Sequence, residues 1–182
     1  EVTEYSTFME LKRVVVTGLG AVTPLGLNVD ETWEALLNGV SGAGPITHFD
    51  ASQFKTQFAC EVKNFDPTLY LDKKEVRKFD RYAQFAVAAA KEAVGDSALD
   101  LEKVDKNRVG VIFAAGIGGI RTFEEEVGGY FTNIERGPKF NPFFIPKMIA
   151  DIAAGHISMI YGFHGPNYAT VSACASSTHS LI

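Results

Sequence analysis

Cysteine is scarce: Cys60 and Cys174 are the two in 182 residues. A disulfide framework is thereby excluded, and a reducing cytoplasm is the compartment to expect. A basic surplus is missing as well. Lys and Arg number 17 against 22 Asp and Glu, a net charge of -5. That argues against nucleic acid as the main partner and leaves room only for a local basic patch. No apolar run is long enough to cross a membrane, because Lys, Asp, Gly or Pro interrupts each one. The acidic N-terminus, Glu1-Val2-Thr3-Glu4, lacks the apolar core of a secretory leader. Low-complexity segments and short repeats are absent too. What is present is the composition of a folded globular chain, 46% apolar and 21% charged, long enough for one sizeable core. Residues 1–8 precede Met9 and read as a tag remnant or an extension.

The apolar patterning alternates between two kinds of segment. Residues 13–17, 108–114 and 167–172 are short runs of the type buried on both faces of a parallel sheet. Between them lie helical patterns. Asn28 and Glu31 are spaced as a capping pair, Gly39 is a stop, and Val29, Trp33, Leu36, Leu37 and Val40 share one face. Asp72 with Glu75 reads as a second cap, opening a helix that runs through Ala83, Ala86, Ala90 and Val94 to Gly95. Residues 121–135 form a third helix. Pro146 fits the first turn of a fourth, with Ile149, Ile152, Ala153, His156 and Ile160 on one side. Residues 41–71 read as irregular connection with a short strand at 57–62. The alternation predicts an α/β layered architecture with parallel pairing.

Cys174 is the residue with most chemical content. It sits among small residues, Ser172-Ala173-Cys174-Ala175-Ser176-Ser177, after a β-prone run. A thiol at a strand end, in the first turn of a helix, meets unpaired N–H groups and the positive end of the helix dipole. Such a setting favours thiolate and suits a nucleophile for acyl transfer. On spacing alone the competing reading is a small buried hydrophobe, the usual fate of a free cysteine. Cys60 has no comparable setting and reads as structural. His179 follows Cys174 by five residues, roughly 140° around a helix and about 7.5 Å along it, so the two side chains diverge. His179 and His156 both read as structural, and His48 and His164 carry no signal. Gly18-Leu19-Gly20 and Gly116-Ile117-Gly118 each follow a strand, but Thr23 and Arg121 stand where a dinucleotide fingerprint needs its third glycine. Tight-turn glycine is the better reading. Lys74, Arg77, Lys78 and Arg81 have the spacing of one basic helix face, either solvated charge or a docking patch for an acidic partner.

The ordered set of motifs is specific. Val14-Val15-Val16-Thr17-Gly18-Leu19-Gly20 opens it, continuing through Ala21-Val22-Thr23-Pro24-Leu25-Gly26. Gly116-Ile117-Gly118-Gly119, Asn141-Pro142-Phe143-Phe144-Ile145-Pro146, Ala154-Gly155-His156 and Gly162-Phe163-His164-Gly165-Pro166 follow, and the Cys174 segment closes it. Over residues 9–182 the chain closely resembles the β-ketoacyl-acyl carrier protein synthases of fatty acid synthesis, type II more than type I. The resemblance implies a thiolase-like layered fold, of which this chain is most of the first βαβαβαββ half, in proteins more than twice as long. It implies decarboxylative condensation of a cysteine-held acyl group with malonyl-carrier protein, in a homodimer, with no cofactor or metal. Cys174 matches the nucleophile, its backbone N–H an oxyanion donor. The two histidines and the lysine of the second stage belong to the other half of the family sequence. Ile117 matches a residue lining the acyl pocket, and Phe144 one at the dimer interface bordering the partner's pocket; simple core packing is the alternative for both. Lys74, Arg77 and Lys78, with Lys139 and Arg136 nearby, match the carrier-protein docking surface. Alternatives are a polyketide-type condensing enzyme, a non-catalytic partner subunit or docking module and, least supported, a nucleotide-binding protein. A half-fold of this kind should expose apolar sheet and helix surface.

Overall fold

The computed structural model describes residues 12–137 and 139–182. The expectation for residues 1–8 lies outside the described residues. Two helices and two strands build the centre. α3 (Arg81–Asp96) packs on α6 (Ile152–Tyr161), and α6 covers the parallel pair β3 (Val111–Ile112) and β4 (Asn167–Tyr168). The core lies between them: Phe79, Ala83, Ala86 and Val87 meet Ala153 and Ile157, with Val111 and Phe113 packed against the group. Alanines at the crossing let the two helix backbones come close. The ladder runs beyond the short strands, since Phe113 N–H donates to the Tyr168 carbonyl and Ala115 N–H to that of Thr170, both at 3.3 Å.

α1 (Val29–Leu37) begins and ends where its caps dictate. Asn28 Oδ1 accepts the Glu31 N–H at 2.8 Å, and Gly39 follows the last turn with φ +64°. β1 (Ala43–Pro45) pairs antiparallel with β2 (Phe58–Cys60). The sequence pattern shows β2 but misses β1, because Ala43-Gly44-Pro45 carries no β-propensity. α4 (Ile120–Thr132) matches the helix expected at 121–135 but starts one residue earlier and ends three earlier.

Four expectations need correction. Residues 13–17 form no ladder; Val14 is 89% and Val16 78% exposed. Apolar composition selects a surface fit for pairing, but a strand exists only beside another strand, and none of the described strands lies there. The segment after it is held instead by α3. Glu92 accepts the N–H groups of Ala21 (2.9 Å) and Val29 (2.8 Å), and Asp96 accepts that of Leu19 (2.8 Å). Gly18 and Gly20 are therefore close-approach glycines rather than turn glycines: a Cβ on either would run into the carbonyls of Ala93 and Ala89 on α3. Trp33 on α1 is also exposed, at 61%, as expected of unpartnered apolar surface.

The helix expected from Asp72 is broken. α2 (Lys73–Val76) is one turn, and α3 starts afresh at Arg81 with Asp80 as its N-cap. Asp80 accounts for the break. Its Oδ1 accepts the Tyr82 N–H at 3.1 Å, while Oδ2 accepts Thr122 Oγ1–H at 2.5 Å and Thr122 N–H at 3.3 Å. One buried carboxylate thus caps α3 and, through space, the first turn of α4, whose own cap position is Gly119. Both helix dipoles point their positive ends at it. The fourth helix is likewise two, α5 (Phe144–Met148) and α6, parted at an extended Ile149. The joint's carbonyls are taken by other elements: Gly119 N–H donates to Met148 at 2.9 Å, and the Tyr82 hydroxyl to Ile149 at 2.5 Å. Burial, helped by Asp80 and Asp151, pushes the Tyr82 hydroxyl up to about 12, so it stays a donor.

Candidate active site

β3 and β4 are parallel neighbours, so the loops leaving them emerge at one edge, where open α/β sheets place their ligand sites. The loop after β3 is Gly116–Gly119. The loop after β4 is an elbow. Past Thr170 the backbone turns through Ser172 (φ -149°, ψ 44°) into Ala173 at φ +48°, a left-handed conformation rare for a residue with a Cβ. It costs about 1–2 kcal/mol outside glycine. A 3₁₀ turn, Ala173–Ala175, then leads directly into α7 (Ser176–Leu181). Cys174 lies at the apex of this turn, two residues ahead of α7, with its side chain exposed. It is therefore not the buried hydrophobe that a free cysteine more often is.

Ser176 holds the elbow. Its hydroxyl accepts the Ser172 N–H and donates to the Ala173 carbonyl, each at 2.7 Å, and the side chain is buried. Thr170 Oγ1 donates to the Ser176 carbonyl at 2.8 Å, tying the turn to the strand end. Sequence reasoning missed both residues. The available signal was a small hydroxyl residue two places after the cysteine, where any small residue would satisfy a packing argument.

Ile117 is exposed in the glycine loop and lines an apolar hollow of about 260 Å³ with Ile120, Phe123, Met148 and Ile149. The loop reaches that position because Gly118 takes φ +91° directly against the Met148 carbonyl. Phe144 is half-buried. Its ring stands 6.2 Å from Phe123 and stacks on Phe140 at 5.7 Å. Phe123 therefore links Ile117 and Phe144, which the structure brings to one aromatic-lined region.

The basic residues do not share a helix face. Lys74 and Arg77 are exposed, but Lys78 pairs with Glu75 at 2.7 Å. Arg81 turns away, its guanidinium 5.2 Å from the Phe85 ring and donating to the Val62 carbonyl. The break at Asp80 separates them. Arg136 and Lys139 are exposed around a hollow of about 360 Å³ that also contains Glu125 and Glu126.

None of the histidines is brought to Cys174 by the contacts that hold the elbow. His179 is exposed on α7. His156 stacks on Phe79 with ring centres 3.5 Å apart, and burial lowers its pKa from the usual 6.5. His48 lies 3.9 Å from Glu61, and His164 is exposed beyond α6. Cys60 is exposed, which corrects its reading as a packed residue: β2 alternates, with Ala59 turned inward and Phe58 and Cys60 outward. Among the described residues no cluster of three metal-ligating side chains occurs, and no helix is long and apolar enough to cross a membrane.

Comparison with known proteins gives concordant results. The family profile described as "Beta-ketoacyl synthase, N-terminal domain" matches residues 11–182. The 3-oxoacyl-[acyl-carrier-protein] synthase 2 of Coxiella burnetii is 47% identical over 173 residues, covering 95% of this chain and 41% of that protein. The protein of the same name from a Synechocystis species is 42% identical over 174 residues, with the same 95% and 41% coverage. This chain thus spans about two fifths of the length of the curated relatives it matches. Among solved structures, the ishigamide ketosynthase/chain length factor superposes with a TM-score of 0.77 at 26% identity, over 87% of this chain and 39% of that one. A type II polyketide ketosynthase complex, described as an acyl-carrier protein with its ketosynthase bound to the hexaketide, superposes with a TM-score of 0.74 at 25% identity, over 94% and 45%.

Proposed function

Because this chain belongs to the β-ketoacyl synthase family, with the thiolase-like fold of its solved neighbours, we propose that Cys174 is the acyl acceptor of a chain-elongating 3-oxoacyl synthase. The observation that carries this is the elbow: an exposed thiol at the apex of a strained turn, at the same sheet edge as an apolar hollow. The thiolate attacks the thioester carbonyl of an acyl-carrier protein. A new C–S bond to Cys174 forms, the old one breaks, and the carrier leaves as its free thiol after taking a proton. The Cys174 N–H lies in a first turn, where no intrahelical acceptor exists, and is free to stabilise the tetrahedral oxyanion. In the second stage malonyl-carrier protein loses CO₂, and its carbanion attacks the Cys174 thioester. That releases 3-oxoacyl-carrier protein and restores the thiolate. The histidine pair and lysine serving this stage in the family have no counterparts within residues 9–182, which form an N-terminal half-domain in this reading.

Fatty-acid elongation is favoured over polyketide synthesis by identity: the curated 3-oxoacyl-[acyl-carrier-protein] synthases stand at 42% and 47%, the type II polyketide ketosynthase complex at 25%. The hollow at Ile117 takes the proximal acyl chain, with Phe144 at its margin towards a second copy of the protein. Lys74, Arg77, Lys78, Arg136 and Lys139 form the carrier-docking surface, in a cytoplasmic homodimer. Two free thiols support the compartment.

The test is incubation of the full-length protein with acyl-carrier protein, followed by intact mass and peptide mapping. An acyl adduct on Cys174, absent in Cys174→Ala, and 3-oxoacyl product on adding malonyl-carrier protein are expected. A protein that elongates equally well as Cys174→Ala would refute the assignment.

A further inference from the structure

We propose that Ser176 is a positioning residue that aims both the Cys174 thiol and the Cys174 N–H, an inference that rests on Cys174 being the acyl acceptor. A left-handed non-glycine residue persists only where its surroundings over-determine it. At this elbow two backbone bonds of the 3₁₀ turn, Ala175 N–H to the Ser172 carbonyl at 3.1 Å and Ser176 N–H to the Ala173 carbonyl, are joined by one side-chain hydroxyl. Ser176 Oγ accepts from the Ser172 N–H and donates to the Ala173 carbonyl, both at 2.7 Å. These two groups flank the left-handed Ala173, so the hydroxyl clamps the turn from both sides. Ser176 is only 4% exposed, so the clamp is shielded from bulk water.

The direction of the second bond has a chemical consequence. The Ala173 carbonyl and the Cys174 N–H belong to the same peptide group. That group is planar and trans, so its C=O and N–H point in opposite directions. Drawing the carbonyl inward onto Ser176 turns the Cys174 N–H outward, to the side where the thioester carbonyl must sit. Thr170 adds a third tie by donating to the Ser176 carbonyl at 2.8 Å, which fixes the clamp to the end of the ladder. Loss of the Ser176 hydroxyl leaves the Ala173 carbonyl held by the Ser176 N–H alone, which loosens this peptide plane and weakens an oxyanion donor without any change in the nucleophile itself.

Two reactions of the same thiol separate this role from general support of the fold. Acylation by an acyl thioester passes through an oxyanion; alkylation by iodoacetamide does not. In the full-length protein, Ser176→Ala is expected to slow single-turnover acylation of Cys174 by up to about 10²-fold, the cost of one oxyanion donor removed outright. The KM for acyl-carrier protein and the iodoacetamide rate should stay within about threefold on the same reasoning. Ser176→Thr, which keeps the hydroxyl, should restore acylation. Should Ser176→Ala fail to fold, Thr170→Val, which removes only the third tie, should slow acylation and leave alkylation unchanged. Equal slowing of both reactions, or acylation unaffected in every variant, would overturn the inference. Wild-type protein that alkylates at Cys174 but accepts no acyl group would overturn the reading beneath it, and the inference with it.

Discussion

Replacing Asp80 with Ala should be among the most destabilising single changes in this chain, and the reason is the double duty of one carboxylate. Oδ1 caps α3 through the Tyr82 N–H, and loss of a cap costs about 1 kcal/mol. Oδ2 is the acceptor for both donors of buried Thr122, its hydroxyl and its N–H. Each buried donor left without a partner costs about 1–3 kcal/mol. The total is roughly 3–7 kcal/mol, comparable with the whole stability of many domains. Thr122→Val alone removes one of Asp80's three bonds and should cost about 1 kcal/mol. The double variant has no buried hydroxyl to strand, so its loss should fall short of the sum by about 1–2 kcal/mol. The assay is urea denaturation of the full-length protein, comparing midpoints at unchanged slope. Strict additivity, or an Asp80→Ala loss below about 1 kcal/mol, would refute the shared-cap account.

Two further outcomes can be read from charge. His156 is half-buried against Phe79, and burial, abetted by Lys78 and opposed by Glu75, lowers its pKa from 6.5. The unfolded chain then binds the proton more readily, so this contribution to stability is complete above 6.5 and is lost as pH falls through 6.5 towards the lower folded value. Urea midpoints should drop on acidification in that window, and His156→Phe, which keeps the ring stack, should flatten the drop; a parallel decline in the variant would dismiss His156 as the source. Neutralising Lys74, Arg77 and Lys78 together should raise the KM for acyl-carrier protein several-fold at low salt, fading as salt screens the pair. An unchanged KM at low salt would remove these residues from the docking surface.

Local features were the legible ones. The Asn28, Glu31 and Gly39 signals bound α1 closely because a cap acts on the nearest three or four peptide groups. The site was legible in the same way: strand, small residues, cysteine and turn lie within one short stretch. What escaped were features decided at a distance. Nothing near Asp80 announces that Thr122, 42 residues later, draws its carboxylate inward and breaks a helix that periodicity alone would continue. The split between α5 and α6 is equally remote, since its free carbonyls are satisfied from the glycine loop and from Tyr82. Residues 13–17 have the composition of a strand but no neighbour to pair with among the described strands. Ser176 escaped for a different reason: a buried hydroxyl and a packing methyl look alike until their partners are known.

The joint at Met148 and Ile149 also bears on how such proteins diversify. Both residues floor the apolar hollow, yet both are suspended by groups outside it, the backbone of Gly119 and the hydroxyl of Tyr82. The volume of the hollow is thus written partly in residues that never touch what fills it. A lineage can enlarge or shrink the space by exchanging Tyr82 or loosening the glycine loop while Ile117 and Phe123 stay the same. Two proteins with identical linings can therefore differ in capacity, and the difference is to be sought in the glycine loop and in α3.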